Sequence, residues 1–217
     1  MEEFRIPRIV DELVVSSRLY ERREAVQKFN ADSRWHKRGI AMTPVKFGIS
    51  FTAAFLNQAG AFVLIYGDGT VQLNHGGTEM GQGLFIKVAQ VVATVFQIDV
   101  KHIKISSTRT DKVPNTSATA ASAGSDLNGM AAYNAAEIIK ARMIGVASNL
   151  FDVQNNEIEF RQNRIYGGNK SISFAELAYK TWEARESLSA TGFYKTPDIS
   201  WDPITCSGSP FYYFTYG

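Results

Sequence analysis

Apolar residues recur along this chain with periods that change several times, and each change marks a new element. Between about Pro7 and Asn30, the apolar positions Ile9, Val10, Leu13, Val14, Leu19, Val26 and Phe29 stand among charges at close to a helical period, with Pro7 suited to a first turn. One amphipathic helix is predicted there. Gly39 to Phe51 has the β-branched and aromatic content of a strand, interrupted by Pro44, which favours an edge or a bulge. Ala61 to Tyr66 and Val71 to Asn74 flank Gly67-Asp68-Gly69-Thr70, a β-hairpin signal because Asp-Gly accepts the positive φ of a tight turn.

Leu84, Val88, Val91, Val92 and Val95 then fall at helical spacing, which places a helix over Leu84–Phe96, directly after the glycine-rich turn Gly81-Gln82-Gly83. His102 to Ser107 alternates as a short strand does. Thr108 to Ser122, rich in Thr, Ser, Asn and Pro, reads as a loop. Asp126 to Leu150 is dense in Ala, Ile and Met and predicts a long helix. Ile158-Glu159-Phe160 and Arg164-Ile165-Tyr166 suggest a second hairpin, and Ser173 with Glu176 forms a capping-box signature ahead of a helix from Phe174 to about Arg185. Extended strands and turns are expected from Ser187 to Gly217. Interspersed hairpins and helices argue for an α+β fold over a doubly wound parallel sheet.

Composition narrows the function classes. Of 217 residues, 45% are hydrophobic and 20% charged, as in an ordinary globular domain, and a net charge of +2 gives no field that would gather nucleic acid or acidic lipid. Nucleic-acid and membrane partners are therefore not expected. The apolar run Val88 to Phe96 is far shorter than the roughly 20 residues of a spanning helix, and Met1 to Pro7 lacks the features of a secretory signal. A lone Cys206 cannot form an internal disulfide. The aromatic strand Phe211 to Tyr216 and the early start of the first helix lead to the expectation of a piece of a longer protein, with residues 1–217 a partial domain truncated at both ends.

Three segments are candidates for chemistry. Asn74 to Gly83 is the densest glycine region; its backbone N–H groups and the following helix N-terminus suit an anion, and Gln82 offers an amide, although a tight connection explains the same residues. Val113 to Ser122 presents small hydroxyl and methyl side chains that admit a bulky ligand, with Ser122 or Ser125 as an alternative helix cap. Phe47 to Gln58 is aromatic enough for Phe51, Phe55 and Leu56 to line an apolar pocket for a planar ligand, with Thr52 as a polar handle, or equally to serve as core. His36, His75 and His102 are scattered, and HExxH, GxSxG and cysteine-cluster patterns are lacking, so self-contained zinc or serine-hydrolase chemistry is not expected. Glu79 near His75 reads as a hydrogen-bonded structural pair. No direct metal ligand and no complete acid–base constellation is expected within these residues.

Taken together, Lys46 to Thr52, Phe55 to Gly60, His75 to Gly83, Asp126-Leu127-Asn128-Gly129 and Tyr213 to Gly217 resemble, in order and separation, the molybdenum-binding domain of the xanthine dehydrogenase and aldehyde oxidase family. Within it, Ile49 to Thr52, Asn115 to Ser117, Thr119 to Ser122 and Thr191 to Pro197 resemble the xanthine dehydrogenase branch, with aldehyde oxidase the close competitor. The resemblance implies that Gly81, Gln82 and Gly83 form the turn that holds a molybdopterin cofactor, and that Thr119, Ala120, Ala121 and Ser122 line the same cavity. It further implies that Phe51 packs edge-on against a purine, that Thr52 contacts it, and that Ala53 and Leu56 belong to the channel leading in. Phe85-Ile86 in place of His-Thr, and Gly124 in place of a small hydroxyl residue, depart from the family's pattern.

The same resemblance places a general-base glutamate beyond Gly217 and a substrate loop, two 2Fe-2S clusters and FAD upstream of Met1. It implies hydroxylation of hypoxanthine and xanthine to urate, electrons passing to NAD or oxygen, a homodimer, and a cytoplasmic or peroxisomal location. The remaining domains of the same polypeptide are the implied partners, and the isolated segment is expected to be inactive. The different-class alternative is a non-catalytic, truncated cofactor-binding module.

Overall fold

The computed structural model describes residues 4–112 and 116–217. In chain order its elements are α1 (Ile6–Ser16), α2 (Leu19–Asp32), β1 (Lys46–Ile49), β2 (Gln58–Ile65), β3 (Val71–His75), α3 (Leu84–Phe96), β4 (Ile103–Ile105), α4 (Gly124–Phe151), β5 (Glu159–Arg161), β6 (Arg164–Gly167), β7 (Lys170–Ser173), α5 (Phe174–Glu183), β8 (Ser189–Lys195), β9 (Ser200–Asp202), β10 (Ser207–Ser209) and β11 (Tyr213–Tyr216). Helices and strands are mixed as an α+β fold requires. They form two compact units: residues 50–210, and residues 1–49 with 211–217.

The larger unit is built on a four-stranded sheet in the order β4-β3-β2-β8. β2 pairs antiparallel with β3 and β8, while β3 and β4 run parallel, so a crossover must join them, and α3 supplies it. Side chains alternate between faces, and Ala59, Ala61, Val63 and Ile65 on β2 with Val71, Leu73 and His75 on β3 form the buried row. Against it lies α4, whose Ala131, Ala132, Ala135 and Ala136 are fully buried. Their small size lets the helix backbone approach the sheet. On β8, opposite Ala61, a Cβ on Gly192 would stand 2.0 Å from the Ala131 carbonyl oxygen and 2.5 Å from the Ala135 nitrogen, so only glycine fits.

The second sheet, β5-β6-β7, buries Phe160 and Ile165 and leads into α5, whose first turn is capped by the Ser173 hydroxyl accepting from the Glu176 N–H at 3.1 Å. Phe96 of α3 and Phe174 of α5 pack with ring centroids 5.5 Å apart. The predicted turn between β2 and β3 is longer than a two-residue hairpin. The Gly69 N–H donates to the Tyr66 carbonyl, the Tyr66 N–H to the Thr70 carbonyl, and only Gly69, at φ +83°, takes the left-handed conformation.

In the smaller unit the predicted single helix is two. Ser17 closes α1 by donating to the Leu13 carbonyl, and Arg18, at φ +50°, is the left-handed residue from which α2 starts. The apolar spacing does not mark this break, because Val15 and Leu19 keep a helical step of four across it. The strand expected over Gly39–Phe51 shrinks to β1, beyond Pro44, and pairs antiparallel with β11. Gly48 lies beneath the Phe211 ring, where a Cβ would come within 2.5 Å. The sequence pattern does not announce β7, because Ile172 is the one apolar residue of Lys170–Ser173.

Gly192→Ala is expected to lower unfolding free energy by about 2–3 kcal/mol through overpacking against the α4 backbone, read as a lower denaturant midpoint at unchanged m-value. A midpoint equal to the parent's would show that α4 does not rest on β8 as described.

Candidate functional site

The turn after β3 is fixed by one carboxylate. Glu79 Oε1 accepts from the N–H groups of Gly81 at 2.9 Å and Gly83 at 3.0 Å, and Oε2 accepts from Phe85 at 2.9 Å. These bonds, that to Phe85 foremost, hold the Glu79 carboxyl below the usual carboxylate range. Gly81 at φ +96° and Gly83 at φ +73° give the turn its shape, which a Cβ would strain. The open anion site expected at the start of α3 is therefore filled by the chain itself, because an acidic side chain at a helix N-terminus meets both its orphan N–H groups and its dipole. Nor does Glu79 hydrogen-bond His75, as expected for the pair.

Gln82 is held by the same turn. Its Oε1 accepts from the Met80 N–H at 2.6 Å and its Nε2 donates to the Thr78 carbonyl at 2.9 Å. An amide carries two N–H donors and two lone pairs, so one of each stays free for a ligand. The Thr119 hydroxyl accepts from the Thr78 N–H at 2.8 Å, joining this turn to the loop before α4. Between them opens a cleft of about 460 Å³ lined by Met80, Gln82, Leu84, Lys87, Thr119, Ala120, Ala121, Ser122, Gly124 and Ser125. That volume lies within the range of small-molecule and cofactor sites. Ala121 and Ser122 both have left-handed φ, +53° and +54°, a strain that concentrates at ligand clamps.

The cleft has an uncapped helix end. No side chain caps α4, so neither Ser122 nor Ser125 acts as the cap that its sequence suggested, and the first-turn N–H groups have no partner within the helix. Gly124 and Ser125 at that end line the cleft, and Lys87 adds a cation. Small walls, a helix start without a side-chain cap, an amide and a lysine suit a ligand with anionic and polar edges, and Asp126 adds a carboxylate to that first turn. Gly81 and Gly83 shape the turn but do not line the cleft. Phe51, Thr52, Ala53 and Leu56 also lie outside its lining, on a loop tied by the buried Asn57, which donates to the Phe51 carbonyl at 2.9 Å and accepts from the Phe51 N–H at 2.8 Å. Phe55 is 73% exposed, so it is neither core nor pocket wall in this chain. Val113, Pro114 and Asn115 of the expected small-residue loop fall outside the described residues.

His75 is buried, as its place two residues after Leu73 in an alternating strand implies. Its Nδ1 accepts from the Gly77 N–H at 3.1 Å, its ring meets Phe85 edge-on at 5.1 Å, and burial pushes its pKa down to about 4. Its Nε2, the Thr116 Oγ1 and the Asn128 Oδ1 are buried without a partner among the described residues. Gly76 and Gly77 lie against Thr116 and Asn128, where a Cβ would intrude to 2.3 and 2.7 Å. Among the described residues, no three His, Cys, Asp or Glu side chains gather as a metal site, and no helix is long and apolar enough to cross a membrane.

A family profile described as "Molybdopterin cofactor-binding domain" matches residues 12–217. The chain belongs to that family. It is 54% identical over 207 residues to a xanthine dehydrogenase of Oryza sativa subsp. japonica, covering 95% of this chain and 14% of the relative, and 45% identical over 217 residues to the xanthine dehydrogenase/oxidase of Mus musculus, covering 100% and 15%. The chain thus spans about one seventh of the length of these curated relatives. Among solved structures, a reconstituted CO dehydrogenase from Oligotropha carboxidovorans shares the fold with a TM-score of 0.73 at 22% identity, over 90% of this chain and 27% of that one. The aldehyde oxidoreductase from Desulfovibrio desulfuricans does so with a TM-score of 0.67 at 17% identity, over 99% and 20%. A molybdopterin-binding fold is what the cleft's donor set and volume fit.

Two measurements test this geometry. The unfolded His75 binds a proton near pH 6.5 and the folded one only near 4, so acidification through that window costs the fold ~3 kcal/mol, which His75→Gln should abolish. Denaturant midpoints of both proteins between pH 7 and 4.5 decide it; parallel pH profiles would count against a buried neutral imidazole. Gly124→Ser has only ordinary contacts to make, the nearest being Thr119 Cγ2 at 3.5 Å. It should raise stability by about 0.5–1 kcal/mol by restricting the unfolded chain, and a drop in melting temperature would contradict the open space seen there.

Proposed function

We propose that this chain is the cofactor-cradling part of a xanthine dehydrogenase-like molybdenum hydroxylase, partial at both ends, whose complete polypeptide converts hypoxanthine and xanthine to urate in purine catabolism. The observation that carries the reading is the meeting of Gln82 with Thr119, Ala120, Ala121 and Ser122 in one cleft that also holds Lys87 and the uncapped start of α4. Identity of 45–54% to xanthine dehydrogenases supports the branch. When bound, molybdopterin would supply the oxygen transfer and two-electron oxidation that no side chain performs. The chain's own residues bind and orient. Gln82 offers its free donor and acceptor to the pterin, Gly81 and Gly83 shape the turn that carries it, and the 119–122 backbone with Lys87 faces the anionic end.

In the same proposal Phe51 packs against the purine, Thr52 contacts it, and Ala53 and Leu56 border its path, held in place through Asn57. A general base, the iron–sulfur clusters, FAD and the site for NAD belong to other parts of the polypeptide, in a homodimer of cytoplasmic or peroxisomal location. The smaller unit supports a longer protein. Among its described residues only Leu19 and Ile49 are buried apolar side chains, and α1 buries none, leaving an apolar row and a two-stranded ribbon without a core of their own.

In the full-length protein, Gln82→Ala should lower molybdenum content or turnover roughly 10-fold, the worth of a hydrogen bond of about 1.4 kcal/mol, and Phe51→Ala should raise KM or lower kcat for xanthine. Full molybdenum with normal turnover in the first, or unchanged kinetics in the second, would remove the assigned role. Aldehydes turning over in preference to xanthine would move the protein to the aldehyde oxidase branch, and xanthine oxidation by the purified 217-residue chain would overturn the assignment of the base elsewhere.

A further inference from the structure

We infer that Glu79 is the positioning residue of the cleft: it touches no ligand, and by accepting three N–H groups of the turn around Gln82 it holds the Gln82 amide at the cleft wall. The inference rests on the cofactor reading of the cleft.

The geometry is closed. Glu79 Oε1 binds the N–H groups on either side of Gln82, those of Gly81 and Gly83, and Oε2 reaches the Phe85 N–H in the first turn of α3. Gln82 in turn bonds Thr78 and Met80, the residues flanking Glu79. Carboxylate and amide thus bridge the same eight-residue turn from opposite ends. Both glycines sit at positive φ, where backbone freedom is greatest, so without the carboxylate the segment has many conformations and little to select one. Glu79 has a second effect. Its carboxylate occupies the N–H groups at the start of α3, while the start of α4, across the cleft beside Ser125, has no side-chain cap and carries Asp126 in its first turn. The carboxylate therefore takes the α3 end of the cleft out of use as an anion site.

The test is a double-mutant cycle in the full-length protein, reading molybdenum per protomer by elemental analysis and its loss rate on gel filtration, with melting temperature as the control for folding. Glu79→Ala should reduce retained molybdenum about 10-fold, as Gln82→Ala does, and the double variant should fall no further than Gln82→Ala alone. Glu79→Gln keeps an acceptor for Gly81 and Gly83 but turns an N–H₂ toward the Phe85 N–H, so it should lie between parent and Glu79→Ala and gives the answer if Glu79→Ala does not fold. Independent, multiplicative losses in the double variant would overturn the inference and make Glu79 a structural cap only. Full retention in Glu79→Ala or Glu79→Gln, beside loss in Gln82→Ala, would also overturn it while leaving the cofactor reading intact. Full retention in Gln82→Ala would instead overturn the cofactor reading and the inference together.

Discussion

The close seat of α4 on β8 and β2 governs the larger unit. Helix backbone meets sheet backbone at Gly192, with Ala131 and Ala135 on the other side, and nothing larger fits at that contact. Small residues contribute little apolar area each, but they permit the dense packing on which dispersion depends. This contact also fixes where α4 begins. Its uncapped first turn, Gly124 and Ser125, is carried to the cleft as a consequence of a packing decision made at positions 131 and 135.

The cleft's second wall depends on local chemistry. Glu79 and Gln82 satisfy the N–H and C=O groups of a turn too rich in glycine to hold itself, and Thr119 ties that turn to the loop before α4. The outcome is a site whose polar groups are partly used and partly free. Such half-satisfaction is costly in a closed core but suits a binding surface, where the ligand supplies the missing partners. His75 stands behind this wall, neutral because burial disfavours its charge.

Much of the fold was legible because it follows from local periodicity. Leu84–Phe96 is helical over the very span its apolar spacing marks, the Ala61–Asn74 hairpin pairs in register, and Ser173 caps α5. Where reading failed, the reason is physical. The break at Arg18 is a left-handed backbone conformation at an ordinary residue, and the apolar spacing, with Val15 four before Leu19, runs on through it. β7 is a polar strand held by its neighbour's hydrogen bonds, which leave no mark on hydrophobic pattern.

The candidate site divides in the same way. Glycine content and residue type alone, read with the order of the motifs, pick out the 74–83 turn and the 119–122 loop as places where backbone can approach a ligand, and point to the family. Sequence cannot say that the turn's N–H groups face Glu79, that Gln82 and Thr119 share a cleft, or that α4 starts without a side-chain cap, because each depends on groups 2 to 41 residues apart meeting in space. Residue identity sets which hydrogen bonds and charges are available. The folded arrangement, the local turn at 78–85 together with the packing of α4 on the sheet, decides which of them are consumed within the chain and which remain for a ligand.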